Sequence, residues 1–70
     1  MTLLELLAQA YLTPQEVSVE ARLPVETVYH MRDGKPIPEY AVKRALAVVS
    51  SRLGRTFTIA DVAGIQLVDQ

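Results

Sequence analysis

Leu3, Leu6, Leu7 and Ala10 recur at three- and four-residue spacing, the stripe that an α-helix turns to one side. Thr2 precedes this stripe with Glu5 three positions on. That is the capping-box pattern, in which the threonine oxygen accepts an orphan backbone N–H and the glutamate reaches back to the cap. The signal returns in Thr13-Pro14-Gln15-Glu16, with proline at the first helical position and Leu12 and Val17 placed as a hydrophobic staple. A second helix therefore starts at Thr13. It runs about two turns, because Pro24 disfavours helical geometry at Leu23. The fixed φ of Pro24 suits a first turn, so a third helix is expected from Pro24 to about Arg32.

Asp33-Gly34 reads as a stop and turn, and Lys35-Pro36-Ile37-Pro38 as an extended connection. From Glu39 to Leu53 the apolar positions Val42, Leu46, Val49 and Leu53 mark a fourth helix, which Gly54 ends. Lys43, Arg44 and Arg52 fall off that stripe, and Ser50-Ser51 reads as a solvated pair. Thr58 with Asp61, flanked by Phe57 and Val62, caps a short fifth helix. After Gly64 the run Ile65 to Val68 reads as a strand without a partner. Such a strand needs an edge, and the same segment of a second copy would supply one, making residues 64–70 a candidate dimer contact. A tail folded over the first helix is the equal alternative. No internal repeat or low-complexity segment is visible.

Composition narrows the functions available. Seventy residues, half of them hydrophobic, with no Cys, no Trp and one His, describe a single small globular domain that occupies 1–70. A chain this size buries little core, so it depends on helix packing or on a partner subunit. Absence of thiols excludes disulfides and cysteine-ligated metals and agrees with a cytoplasmic setting. MTLLELLAQA lacks a basic leader and is interrupted by Glu5, so it reads as neither a signal peptide nor a membrane span. No triad, metal site or ligand-sized cavity can be assembled from this inventory. The expectation is therefore a non-enzyme with no cofactor, no metal, no membrane association and no small-molecule ligand.

Two short helices joined by a tight turn and followed by Gly34-Lys35 form the layout of a DNA-reading helix-turn-helix. The segment LTPQEVSVEARLPVETVYHMRDGK, Leu12 to Lys35, resembles without a gap the helix-turn-helix of the lambda-repressor and Cro-type (XRE) family. The resemblance extends to roughly residues 2–63, with the motif at about 13–32. It implies an all-α domain of five short helices, here with a candidate C-terminal strand. It also implies that Val17, Ala21, Leu23, Val28 and Met31 are core, that Ser18 fills a small-residue position, and that Lys35 approaches a phosphate. Val25, Glu26, Thr27, Tyr29 and His30 match the positions that touch bases and flanking phosphates. Gln15 and Arg22 complete the expected DNA-binding set.

Side-chain chemistry limits what these residues could read. Val25 can only meet a thymine methyl, Glu26 can accept from a cytosine amino group, and Thr27 and His30 can donate or accept. The Tyr29 hydroxyl can reach a phosphate while its ring packs on the core. Three residues depart from the family pattern. Arg22 stands where glycine usually adopts the left-handed conformation, Pro24 replaces a Ser or Thr cap, and Pro14 replaces a backbone-holding glutamine.

The formal net charge is −1. Glu5, Glu16 and Glu20 stand without a base in residues 1–20, whereas 36–55 hold Lys43, Arg44, Arg52 and Arg55 against Glu39. The middle of the chain is thus net basic, as expected if one surface meets DNA. The function implied is a sequence-specific transcriptional regulator, a small Cro-like repressor. It would bind double-stranded DNA as a homodimer at the nucleoid. The alternative is a protein-interaction adaptor, antitoxin-like or anti-repressor-like, that keeps the fold without specific DNA reading.

Overall fold

The computed structural model describes residues 1–68; the last two residues of the expected 64–70 tail lie outside it. The chain is predominantly helical: α1 (Leu3–Ala10), α2 (Pro14–Ala21), α3 (Val25–Arg32) and α4 (Glu39–Leu53), with strands β1 (Pro36–Ile37) and β2 (Gln66–Leu67). Both capping boxes form. Glu5 N–H donates to Thr2 Oγ1 at 3.2 Å and Thr2 N–H to Glu5 Oε1 at 3.3 Å; Thr13 and Glu16 repeat the pair at 3.2 and 3.1 Å. α3 begins one residue later than expected. Pro24, with ψ at 139°, is its cap rather than its first helical residue, and no side chain caps that end.

Each helix ends in the same way. A residue just past the helix end donates its N–H back across the last turn: Leu12 to Leu7 C=O at 3.0 Å, Leu23 to Ser18 at 2.9 Å, Lys35 to His30 at 2.9 Å and Arg55 to Ser50 at 3.2 Å. This closure needs a left-handed residue just before the donor. Gly34 and Gly54 fill that place at the ends of α3 and α4, but Tyr11 (φ 55°) and Arg22 (φ 58°) fill it at the ends of α1 and α2. A non-glycine residue there costs roughly 1–2 kcal/mol, and glycine returns about half of that through its looser unfolded chain. Tyr11 is 91% exposed, so it has no packing to lose. Tyr11→Gly and Arg22→Gly are each expected to raise the melting midpoint by about 2–8 °C. An unchanged midpoint for both would refute the strain.

α1 and α2 prove to be one pattern written twice, which the sequence reading missed. Thr2, Glu5, Leu6, Ala10, Tyr11 and Leu12 correspond to Thr13, Glu16, Val17, Ala21, Arg22 and Leu23, so that cap, core contacts and stop recur at a constant offset.

The fifth helix is only a 3₁₀ turn, Ile59–Asp61. The Thr58 N–H does donate to the Asp61 carboxylate at 2.8 Å, as the capping signal requires. Propagation stops because Ala63 N–H is taken by Met1 C=O at 2.6 Å instead of by the preceding turn. The tail strand likewise finds its edge within the chain. β2 pairs parallel with β1, Pro36 opposite Gln66 and Ile37 opposite Leu67, and Val68 N–H donates to Ile37 C=O at 3.0 Å. α4 is the crossover that a parallel pair needs. The expected edge from a second copy is therefore not required.

The core gathers Leu3, Leu6 and Leu7 from α1, Val17 and Ala21 from α2, Val28 and Met31 from α3, Ile37 from β1 and Val42, Leu46 and Val49 from α4. Leu12 with Val17, and Phe57 with Val62, are buried as the staples anticipated. Leu53 is only partly covered. Ser50 is not a solvated residue: its Oγ accepts from Phe57 N–H at 3.0 Å and ties the segment after α4 back to the helix. Ser18 is buried, and its hydroxyl donates to Gln15 C=O at 2.7 Å. Among the described residues no helix is long and apolar enough to cross a membrane.

Candidate nucleic-acid interface

Among the described helices α2 and α3 pack together most extensively, and their buried residues are Val17, Ser18, Ala21, Val28 and Met31. Leu23, buried in the turn between them, anchors the three residues 22–24. With its inner side so held, α3 turns Glu26 and His30 to solvent, while Val25, Thr27 and Tyr29 are half-buried. Glu26 and His30 are therefore the most open side chains of the five expected on this helix, and Val25 and Thr27 have less free surface than the sequence suggests.

Lys35 is placed by the backbone. Its N–H bond to His30 C=O requires Gly34 at φ +78°, and a Cβ on Gly34 would stand 3.4 Å from the Gly64 carbonyl. The turn after α3 is thereby seated against the C-terminal segment. Glu26, Tyr29, His30, Arg32, Asp33 and Lys35 border one shallow groove of about 460 Å³. Tyr29 is positioned twice over: its hydroxyl accepts from Gln15 Nε2 at 2.5 Å, and the Arg32 guanidinium lies 4.8 Å from its ring centre. Gln15 thus reaches the site by orienting Tyr29.

Arg32 and Asp33, which the sequence reading did not select, form an ion pair at 3.0 Å beside these residues. The hydrogen bond from Arg32 holds the Asp33 carboxyl below the ordinary carboxylate range. The Thr58 N–H does the same for Asp61. Carboxyls with lowered folded values support the fold above their unfolded values, and that support is lost as pH falls through the folded values.

The set is not gathered whole. Arg22 lines a separate groove, between α2 and α4, with Arg44 and Arg52. At the α3 groove Lys35 is offset by Glu26 and Arg32 by Asp33. The basic excess seen in the sequence lies instead on α4, a division that only the tertiary arrangement reveals. No family model, curated protein or solved structure matches the chain.

Proposed function

We propose that the chain is a sequence-specific DNA-binding regulator, a small Cro-like repressor of the lambda-repressor and Cro (XRE) type. On this reading α2, its turn and α3 act as a helix-turn-helix. A homodimer lays α3 in successive major grooves of cytoplasmic, nucleoid DNA. The observation that carries the reading is the outer side of α3: Glu26 and His30 are exposed above a fully buried inner side, and Lys35 is locked one turn beyond. Glu26 accepts from a cytosine amino group, His30 bonds a base or phosphate, and Lys35 and Tyr29 meet the backbone.

Selection of bound sites from a randomised duplex pool, at low and moderate salt, tests this. The expected result is a two-fold-symmetric motif with half-sites about one helical turn apart. Glu26→Ala should relax preference at one base pair per half-site, at about 1–3 kcal/mol. Lys35→Ala should weaken all sequences alike and lower the salt slope by about one. Asp33→Asn frees Arg32 and should raise that slope by a similar amount. Equal losses on specific and random DNA for Glu26→Ala would remove its base-reading role.

One observation favours the second reading, an adaptor without specific DNA recognition: the charges bordering the α3 groove cancel, whereas duplex affinity rests on neutralised phosphates. That reading expects no enriched motif and only weak binding that vanishes at moderate salt.

A further inference from the structure

Apart from Lys35, the side-chain cations that no carboxylate engages lie around two grooves that meet over Ala47. On one side, α4 and the segment 56–60 enclose an open, largely apolar trough of about 630 Å³. Leu46, Phe57 and Ile59 line it, Lys43 stands at its rim, and the Arg55 guanidinium lies 5.0 Å from the Phe57 ring centre. On the other side, a trough of about 470 Å³ between α2 and α4 carries Arg22, Arg44 and Arg52 around Ala21 and Val48. Ala47 is exposed and offers only a methyl group, so it forms a low saddle between the two. Arg52 is engaged by Glu20 at 2.9 Å and Lys43 by Glu39 at 3.3 Å. Arg22, Arg44 and Arg55 have no carboxylate partner among the described residues. Arg22 stands here on a left-handed backbone better suited to glycine.

We propose that this α4 surface binds an acidic peptide segment of a partner protein. One large apolar side chain fills the Phe57 trough, and flanking carboxylates cross Ala47 to meet Arg44 and Arg22. Charge complementarity selects this occupant. The described residues of a second copy have little acid to offer: Glu5 and Glu16 are held in capping boxes, Glu20 and Glu39 in ion pairs, Asp33 by Arg32 and Asp61 by Thr58. Glu26 alone is uncommitted among the acids of the described residues. Duplex DNA supplies phosphates but no apolar side chain for the trough. An acidic peptide with an aromatic or leucine anchor supplies both, in the mode of a segment docking into a helix-lined groove.

The test is a selection of short random peptides displayed against the full chain, followed by titration of the enriched peptide with the protein and its variants. Enriched peptides should combine Asp or Glu with Leu, Phe or Tyr. Ala47→Trp, which blocks the saddle, and Arg44→Glu should each weaken binding by about tenfold or more, and added salt should weaken it too. Glu26→Ala should leave it unchanged, so the result stands apart from the outcome on DNA. Should either bulky change lower the melting midpoint, Arg44→Ala repeats the comparison with only surface atoms removed. The proposal is overturned by an absence of enrichment, by enrichment without acids, or by binding indifferent to these variants. A halved sedimentation mass for Ala47→Trp would give the surface to a second copy. Loss of DNA affinity with peptide affinity intact for Arg44→Glu would give it to the duplex.

Discussion

Leu6→Ala should lower the thermal midpoint by about 15 °C or more. Leu6 is completely buried, in the middle of α1, and α1 reaches the rest of the core chiefly through α4 and α3. Truncating such a leucine loses its transfer free energy and leaves a cavity, together about 2–5 kcal/mol. A domain of this length holds only about 4–10 kcal/mol in all. With no cysteine in the chain, no disulfide makes up the loss. Scanning calorimetry reads the outcome directly. A drop of less than about 5 °C would mean that α1 repacks freely and is not the wall of the core that the structure describes.

The second large effect is expected from ending the chain at Ala63. This removes β2 and Ile65, which packs against the core, and it uncovers the β1 edge beside the buried Ile37. Lost apolar cover and ladder hydrogen bonds together amount to about 2–3 kcal/mol. The midpoint should fall by about 10 °C or more. Because β2 is paired with its own chain, this loss should appear in melting while the sedimentation mass of the protomer assembly stays the same. The opposite pattern, an unchanged midpoint with a halved mass, would restore the tail as a contact between copies.

How much of this was legible follows from the range over which each signal acts. Helix starts were readable because a capping box is complete within four residues, as at Thr2–Glu5 and Thr13–Glu16. The end of α2 was also readable, since Pro24 acts on its immediate neighbour Leu23, whereas the left-handed place of Arg22 was implied only by the family resemblance. The shared plan of α1 and α2 was hidden because Leu7 and Ser18 differ in kind while occupying the same buried place. β1 and β2 are two residues each, too short for alternation to show, and their pairing depends on the path of α4. The 3₁₀ turn at Ile59–Asp61 carried a sound helix signal that was overruled from a distance, by Met1. At the candidate site, exposure of Glu26 and His30 followed from the helical period, and the place of Lys35 from Gly34. The separation of Arg22 from them did not, because it arises where α2 crosses α4.

Thr2 bridges Ala63, and Met1 accepts from the Ala63 N–H, so α1 is secured by residues made long after it. During synthesis α1, α2 and α3 leave the ribosome with their core sides uncovered. They wait for α4 and then for residues 62–68 before the fold can close. Assembly should therefore be a single late event rather than a helix-by-helix accumulation, and a ribosome stalled before residue 63 should hold a chain that proteases still cut freely.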